Sequence, residues 1–331
     1  MQYRALGSHS FTVSSIAFGA WQIGDENYWG PPRQHDYEAV VHAAVDSGIT
    51  LFDTAEMYGN GESERALGRA LRGRRDRVLI ASKLLPEHCA PAAVRTACEE
   101  SLKRLSTDYL DVYQVHWPCR TVPFADTYDA LERLRREGKI RAIGVSNFGP
   151  QDLGAWMHYG DAVSNQIGYN LLFRAPEYEI IPACIRHGAG ILVYMPLLQG
   201  ILCGRWTRIE DIPPSRRRTR HFSCERAGTR HGEPGCEALL LNILGALNAL
   251  AGDLSMPLAH LSIAWLLAQK GISSVIIGAR DIEQLRSNVQ AAERSLSPET
   301  WDQIERITSP AKILLGKNAD MWLGTAESRI R

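Results

Sequence analysis

The chain alternates short apolar strands with helical segments, and this alternation restricts its fold more than any other feature. Eight strand candidates are almost wholly apolar, which is typical of strands that are buried on both faces of a parallel sheet. They are Ser15–Phe18, Thr50–Phe52, Val78–Ser82, Leu110–Val115, Ile140–Val145, Ser164–Ile167, Ile191–Met195 and Ser274–Ile277. A helical pattern follows each strand, and eight such units predict a (β/α)8 (TIM) barrel.

The main alternative is a doubly wound sheet, which would need a Gly-x-Gly-x-x-Gly motif after its first strand. The nearest match, residues 59–64, lacks the third glycine. Two β-prone runs around Gly7 predict an N-terminal hairpin ahead of the barrel. The unusually long segment after the seventh strand predicts a loop over residues 198–235 and an extra helix, Glu237–Leu250. A helix at Pro298–Thr308 and a tail without assigned structure end the sequence.

The composition of the chain argues against several classes of protein. The 331 residues include 37 basic and 37 acidic side chains, and a neutral chain is a poor candidate for binding nucleic acid. The longest apolar stretch, residues 238–251, contains two asparagines and is too short to span a membrane. The N-terminus has no signal-peptide pattern, and the seven cysteines lack paired spacing. We therefore expect one cytoplasmic domain, residues 1–331, that binds neither nucleic acid nor membrane.

Polar side chains follow three consecutive predicted strands, at the rim where (β/α)8 barrels carry their active sites. Asp53 and Tyr58 follow the second strand, Lys83 ends the third and His116 ends the fourth. Singly, each has a structural explanation: Asp53 could cap a turn, and His116 could be a satisfied core histidine. Because all four lie at one rim, a shared chemical role is the better interpretation.

These four residues have the chemistry of an acid catalyst. A tyrosine has an ordinary pKa of about 10, and a neighbouring ammonium lowers that pKa. Asp53 would pair with Lys83 and keep it charged. His116 would donate a hydrogen bond to a carbonyl oxygen, and Tyr58 would protonate that oxygen as it gains negative charge.

Longer motifs around these positions resemble the aldo-keto reductase family. They are Phe-Asp-Thr-Ala-Glu-Met-Tyr-Gly at 52–59, Ala-Ser-Lys at 81–83, Gln-Val-His-Trp at 114–117, and the segments 138–148 and 278–288. The resemblance covers nearly the whole chain and carries the family's catalytic tetrad onto Asp53, Tyr58, Lys83 and His116. It implies a (β/α)8 barrel and reversible hydride transfer between a nicotinamide cofactor and a small carbonyl or alcohol.

The same resemblance implies the residues that hold the cofactor. At the nicotinamide, Ser146, Asn147 and Gln166 would hydrogen-bond the carboxamide, and Tyr194 would stack on the ring. Trp21 would line the same end of the cofactor, or else it is a tryptophan of the core. Those along the phosphates would be Pro196, Leu197, Gln199, Gly200, Arg205, Gly278, Arg280, Gln284 and Asn288. Arg280 could grip a 2′-phosphate at the start of a helix, which favours NADPH over NADH. Alternatively, Arg280 is simply a solvated arginine at the start of the helix.

The segment 198–235, here termed the Arg-rich loop, has two interpretations. Its residues 205–230 contain eight arginines and three acidic residues. It is either a solvated surface loop or a segment that meets phosphate on the cofactor or on an anionic substrate. Its cysteines and histidines match no zinc-binding spacing, and we expect no metal site. Tyr28, Trp29 and Trp117 are expected to wall the substrate pocket.

Two other functional classes stay open at this stage. A lysine at a strand end could form a Schiff base, which would make the chain a lyase that uses Lys83. A nicotinamide-binding regulatory subunit without significant turnover would retain the cofactor residues. Among reductase substrates, a sugar, a sugar derivative and a phosphate-bearing carbonyl are the candidates.

Overall fold

Eight parallel strands close into a barrel in the computed structural model of the chain, which describes residues 1–30 and 37–331 without the side chains of residues 26 and 27. The strands are the hairpin pair β1 Tyr3–Ala5 and β2 Thr12–Ser14, followed by the barrel strands β3 Ile16–Gly19, β4 Leu51–Asp53, β5 Leu79–Leu84, β6 Leu110–Val115, β7 Ile140–Ser146, β8 Ser164–Gly168, β9 Gly190–Tyr194 and β10 Ile272–Ile277. β10 pairs with β3 and closes the ring. The predicted (β/α)8 barrel and hairpin are confirmed, and every predicted barrel strand has an observed counterpart.

Helices follow the barrel strands along the chain. In the described residues they are α1 Glu26–Trp29, α2 Tyr37–Asp46, α3 Glu62–Ala70, α4 Pro91–Leu105, α5 Phe124–Arg136, α6 Pro150–Trp156, α7 Ile180–His187, α8 Glu237–Asp253, α9 Leu258–Leu267, α10 Ile282–Ala291 and α11 Pro298–Leu315. The sequence pattern places a helix at 34–46, and its first three residues lie outside the described part. The extra helix after the seventh barrel strand is confirmed as α8.

The barrel interior is filled from the bottom by small and branched side chains. Leu6 and Val13 of the hairpin pack against inward-facing residues of the strands, among them Ala17, Ala81 and Ala142. The hairpin therefore plugs the N-terminal end of the barrel. The larger core lies between the strands and the helices. Because the hairpin closes the N-terminal end of the barrel, we look for a site among the polar residues at the C-terminal rim.

The last helix is longer than the sequence pattern predicts. Its predicted end is Thr308, and a proline, Pro310, which usually disrupts a helix, stands two residues further on. α11 instead continues through Pro310 to Leu315. The extra turns bury Ala311 and Leu315, and this burial offsets the loss of the proline N–H. After α11 the tail, residues 316–331, returns across the C-terminal rim of the barrel.

Within the described residues, no single helix is both long and apolar enough to cross a membrane. α8 and α9 meet such a criterion only when they are joined, and the two helices are bent by 91° relative to one another.

Candidate active site

Lys83 stands at the centre of the polar residues on the rim. Its Nζ donates to Asp53 Oδ1 at 2.7 Å, to the carbonyl oxygen of Thr54 at 2.8 Å and to Tyr58 Oη at 3.2 Å. An ammonium has three N–H groups, and all three are used here. Lys83 is fully buried, so its contacts fix both the carboxylate and the phenol in one arrangement.

The charges of this group set its protonation. Burial lowers the pKa of Lys83, but Asp53 and Tyr58 raise it by more, so its pKa lies above the ordinary value. Burial also raises the pKa of Tyr58, and the opposing effect of Lys83 is the smaller one. Lys83 therefore acts in the expected direction, but burial outweighs it and the pKa of Tyr58 lies above its ordinary value. Tyr58 is a protonated phenol that has Lys83 as a hydrogen-bond donor.

His116 is a buried, neutral imidazole beside Tyr58. The two ring centroids are 5.9 Å apart and the rings meet edge to face. Burial, followed by the charges of Lys83 and Arg329, holds the pKa of His116 well below its ordinary value. Its buried Nδ1 has no hydrogen-bond partner among the described residues. Since an unpaired N–H costs more than an unpaired lone pair, we assign the single ring proton to Nε2.

The residues expected at the nicotinamide form one hydrogen-bonded network on β7, β8 and β9. Tyr194 Oη donates to Asn147 Oδ1 at 2.8 Å. Asn147 Nδ2 donates to the carbonyl oxygen of His116 and to Ser146 Oγ, both at 3.0 Å. Ser146 Oγ donates in turn to the carbonyl oxygen of Gln166 at 3.0 Å. Asn147 has a positive φ of 62°, which is uncommon for a residue other than glycine.

Gln166 links this network to the rim. Its Nε2 donates to Asp53 Oδ2 at 2.7 Å and lies 3.5 Å from Gln114 Oε1. Asp53 therefore accepts from Lys83 on one oxygen and from Gln166 on the other. Because the amide N–H groups of Gln166 point to Asp53 and Gln114, its Oε1 is the atom that remains to accept a hydrogen bond.

The segment after β9 has a strained backbone. Met195, Leu198 and Gln199 all have positive φ, with values of 54°, 44° and 55°, and Gly200 follows at 92°. Positive φ is unfavourable for side chains larger than glycine and often marks functional sites. The carbonyl oxygen of Pro196 accepts from Ser262 Oγ at 3.0 Å, and the side chain of Leu197 packs against the core.

The turn between β10 and α10 is closed by its own side chains. Gln284 Oε1 accepts from the backbone N–H of Arg280 at 3.0 Å, and Asn288 Nδ2 donates to the carbonyl oxygen of Gly278 at 3.4 Å. The Asp281 carboxylate accepts from the N–H of Gln284 at 2.7 Å and caps the helix. This carboxylate occupies the helix N-terminus, which would otherwise be expected to attract phosphate. A phosphate near this turn would have to be held by side-chain cations.

Three aromatic residues, Trp21, Tyr28 and Trp29, form a roof over Tyr58. The Trp21 ring stacks on Tyr58 at 5.5 Å and on Tyr28 at 4.8 Å, and Trp29 packs against both Trp21 and Tyr28. Tyr28 Oη accepts from Gln199 Nε2 at 2.6 Å and donates to the carbonyl oxygen of Ser215 at 3.0 Å. The roof is therefore joined to the Arg-rich loop.

Trp117, also expected in the substrate wall, lies against the tail instead. The Arg329 guanidinium lies 3.6 Å from the centre of the Trp117 ring, and Trp322 packs edge to face on Trp117 at 6.1 Å. Trp322 is also nearly parallel to Tyr194, with 6.4 Å between the centroids. The expected aromatic wall is thus divided between the roof and the tail.

The Arg-rich loop fits neither of its two interpretations as a whole. Arg220 is buried, and its guanidinium donates to the carbonyl oxygens of Leu315 and Asn318, both at 2.9 Å, and to Glu233. Its backbone N–H donates to the carbonyl oxygen of Met321. Arg220 therefore anchors the tail. Arg226 pairs with Glu237 on α8, whereas Arg208 and Arg218 are exposed.

The histidines of this loop have structural contacts. His221 is buried between Thr219 Oγ1 at 2.9 Å and the carbonyl oxygen of Leu172 at 3.0 Å, and burial lowers its pKa to about 4. No group of three or more His, Cys, Asp or Glu side chains within residues 1–30 and 37–331 is placed to hold a metal ion.

The chain belongs to the aldo-keto reductase family, whose model matches residues 15–309. It is 32% identical to the aldo-keto reductase YhdN of Bacillus subtilis, over 93% of each chain. It is also 32% identical to the NADH-specific methylglyoxal reductase of Escherichia coli, over 88% of this chain and 94% of the relative. An aldo-keto reductase of Klebsiella pneumoniae, solved in complex with NADPH, superposes with a TM-score of 0.72 at 32% identity, covering 93% of this chain and 95% of the other.

Sequence reasoning missed several residues that the fold brings to the site. Gln114 contacts Gln166, Arg216 approaches Gly200, and Trp322 and Arg329 come from the tail, where Arg329 pairs with the buried Asp320. Gln114 shares the strand face of His116 and could have been found by alternation along β6. The tail has no apolar period, so the sequence holds no signal that would place Trp322 or Arg329 at the rim.

Proposed function

We propose that the chain is an NADPH-dependent carbonyl reductase in which Tyr58 is the general acid. The observation that carries this proposal is the convergence of Asp53, Thr54 and Tyr58 on the three N–H groups of Lys83. Lys83 donates to Tyr58 Oη, so the phenol is left to direct its own O–H outward. A protonated phenol with a fixed donor behind it is suited to giving a proton to a substrate oxygen.

His116 is the second donor to the substrate oxygen. With its proton on Nε2, the neutral imidazole donates one hydrogen bond to the carbonyl oxygen and polarises it. As the proton leaves Tyr58, the phenolate that forms is stabilised by Lys83, whose charge Asp53 maintains. The reverse reaction, alcohol oxidation, uses the same groups with Tyr58 as the base.

The cofactor supplies the hydride, and the residues present are suited to binding it. Asn147 has both amide N–H groups engaged, so Asn147 Oδ1 and Gln166 Oε1 would accept from the carboxamide NH2. Tyr194, held by Asn147, would stack on the ring. The two acceptors would fix one edge of the nicotinamide ring, and the Tyr194 ring would cover one of its faces. Arg280 would bind the 2′-phosphate and favour NADPH, although the E. coli relative is described as NADH-specific.

The lyase alternative is disfavoured by the state of Lys83. A Schiff base forms from a neutral amine with a free lone pair. Lys83 has a raised pKa, and its three N–H groups are all engaged. We therefore place Lys83 in a supporting role.

For the substrate, we propose a small aldehyde or ketone. Two E. coli relatives are described as methylglyoxal reductases, and aromatic side chains lie at the site, with Trp21 stacked on Tyr58 and Trp322 beside Trp117 and Tyr194. Sugars, sugar derivatives and phosphate-bearing carbonyls are included in the proposal. The seven free cysteines support a location in the reducing cytoplasm.

The first test is a titration of the protein with NADPH and NADH, followed by tryptophan fluorescence quenching. We expect saturable binding with a preference for NADPH, and NADPH-dependent reduction of small aldehydes. Arg280→Ala should weaken NADPH binding much more than NADH binding. Equal weakening would remove the 2′-phosphate assignment, and the absence of turnover despite tight NADPH binding would favour the regulatory-subunit alternative.

A further inference from the structure

The turn that carries Tyr58 lies beyond the part of the chain that the barrel sheet holds. Asp53 is the last residue of β4, and the N–H of Thr54 donates to the carbonyl oxygen of Ala81 on β5 at 2.9 Å. Two of the partners of Lys83 are therefore fixed by the barrel itself. Tyr58 stands further along, in a turn outside β4, so the position of its hydroxyl depends on what fixes that turn.

The side chain of Glu56 joins this turn to the segment that follows β5. Its Oε1 accepts from the backbone N–H of Leu85 at 2.6 Å and lies 2.9 Å from His88 Nδ1. We assign the proton of the second contact to His88, since an ionised carboxylate only accepts hydrogen bonds. The backbone N–H of Glu56 also donates to the carbonyl oxygen of Lys83, at 3.5 Å. One carboxylate oxygen therefore bridges the turn to two donors just beyond Lys83.

This bridge is shielded from water at the carboxylate. The Glu56 side chain is 8% exposed, whereas that of His88 is 44% exposed. Hydrogen bonds to an ionised group are stronger than neutral ones, and salt screens them less when they are buried. The three N–H groups of the Lys83 ammonium are taken by Asp53, Thr54 and Tyr58. Glu56 therefore holds the backbone around the reacting groups and leaves the ammonium to the tetrad.

The bridge connects the two chain segments that meet at the hydrogen bond between Lys83 and Tyr58. Glu56 lies just before Tyr58 in the sequence, and Leu85 lies just after Lys83. The distance from Lys83 Nζ to Tyr58 Oη is 3.2 Å, against 2.7 Å and 2.8 Å for the other two bonds of the ammonium. Because 3.2 Å is at the upper end of the usual range, a small shift of the turn would break this bond first.

We propose that Glu56 is a positioning residue for carbonyl reduction, which holds the turn of Tyr58 against the end of β5 and so keeps the phenol on Lys83. The proposal rests on the proposed function, in which Tyr58 is the general acid. Glu56 acts through the position of Tyr58 and transfers no proton itself. Without the bridge, the phenolate that forms during reduction lies farther from the ammonium and is less stabilised. Most of the proposed cofactor residues lie on or after β7, so NADPH affinity should change little.

The test compares Glu56→Ala with Glu87→Ala, a charge-matched control at an exposed position of the same segment. The probe is methylglyoxal, the substrate named for two relatives. We expect kcat to fall about tenfold in Glu56→Ala, because a displacement of about 1 Å at a reacting group can cost roughly 10²-fold. The Kd of NADPH and the KM of methylglyoxal should stay within about twofold of the wild type. Glu87→Ala should match the wild type, and Glu56→Gln, which keeps an acceptor for Leu85, should recover most of kcat.

The pH profile of the reverse reaction, oxidation of the alcohol product, separates positioning from a general loss of structure. Burial raises the pKa of Tyr58, and the charge of Lys83 lowers it. Tyr58 is the base in this direction, so kcat rises as the pH passes its pKa. In Glu56→Ala the contact with Lys83 is weaker, and the pKa in the profile should move upward. A partly unfolded variant would instead lose the same factor of kcat at every pH.

Two results with an active wild type would overturn the proposal. One is an unchanged kcat in Glu56→Ala, and the other is a lower kcat with an unshifted pH profile, which would make Glu56 a structural contact only. If Glu56→Ala does not fold, Glu56→Asp, which withdraws the carboxylate by one methylene, takes its place in both measurements.

A wild type that reduces no carbonyl would refute the proposed function and leave the positioning to be decided separately. Crystal structures of the wild type and Glu56→Ala then measure the distance from Lys83 Nζ to Tyr58 Oη. An increase from 3.2 Å to beyond about 3.5 Å in the variant supports the positioning by Glu56, and an unchanged distance refutes it.

Discussion

The two sides of the barrel mouth are built in different ways. The rim carries Asp53, Lys83 and His116 on or directly after adjacent strands, and one ammonium joins two of these strand ends. The cover consists of the roof, the Arg-rich loop and the tail, and its contacts join residues far apart in the chain, such as Arg220 with Asn318. The rim can therefore hold reacting atoms rigidly, whereas the cover can change without disturbing the strands.

The difference also appears in electrostatics. On the rim, a buried ammonium and carboxylate satisfy each other, and removal of either would leave a buried charge unpaired. In the cover, Arg220 and Arg226 pair with Glu233 and Glu237, and guanidinium groups also bind backbone carbonyl oxygens or approach the backbone of Gly200. The rim therefore contains one coupled, buried ion pair, whereas the charges of the cover are spread over separate contacts. Four experiments test this difference between the rim and the cover.

The largest effect is expected on the rim. Tyr58→Phe removes the hydroxyl of the proposed proton donor but keeps the ring that stacks on Trp21. Carbonyl reduction should fall by about 10³-fold, since general acids contribute roughly 10² to 10⁴. NADPH affinity should stay within about threefold of the wild type. Steady-state kinetics and a cofactor titration measure the two quantities, and retained reduction would remove Tyr58 as the acid.

The next effect concerns the anchor of the cover. Arg220→Ala deletes donors to Leu315 and Asn318 and leaves Glu233 without its partner, at a cost of about 3 kcal/mol in the free energy of unfolding. Because the tail carries Trp322, the KM for the carbonyl should rise more than kcat falls. The matched control is Arg208→Ala, which should change stability by less than about 0.5 kcal/mol. Equal urea midpoints for the two variants would contradict the anchoring role.

Low pH should lower the free energy of unfolding through protonation of His221, which lies in the Arg-rich loop of the cover. Its folded pKa of about 4 lies below the ordinary value of 6.5, so the unfolded state binds the proton first. The stability that neutral His221 contributes is present above pH 6.5 and is lost as the pH falls toward 4, by up to about 1.4 kcal/mol per pH unit. His116 acts in the same direction.

Urea unfolding between pH 7 and pH 4.5 measures this loss. The dependence on pH should be shallower in His221→Gln than in the wild type by the contribution of one proton. His158, which is exposed, provides the control, and His158→Gln should follow the wild-type curve. An identical slope in all three proteins would show that His221 is not the titrating group.

The smallest effect is expected at the junction of the roof and the Arg-rich loop. Tyr28→Phe removes the hydroxyl between Gln199 and Ser215 but keeps the ring on Trp21. Loss of these hydrogen bonds, worth about 1 kcal/mol, should speed cofactor release several-fold. The rate of the chemical step should not change. Stopped-flow release and single-turnover kinetics separate the two, and a slowed chemical step would show that the roof acts on Tyr58 directly.

Several features of the fold could be predicted because they depend on local pattern. Continuous apolar runs indicate strands that are buried on both faces, and each ends at a predictable position, which brings Asp53, Lys83 and His116 to one rim. α11 shows the limit of such patterns. Its continuation through Pro310 depends on what Ala311 and Leu315 pack against, which no local rule contains.

The sequence by itself determined the barrel, the N-terminal hairpin and the family, because hydrophobic period and motif spacing are properties of neighbouring residues. Only the tertiary structure decided which distant groups meet. It paired Gln166 with Asp53, assigned Arg220 to the tail, capped α10 with Asp281 and brought Arg216 to Gly200. It also reversed the expected pKa shift of Tyr58, because burial, which depends on the whole fold, outweighs the charge of a single neighbour.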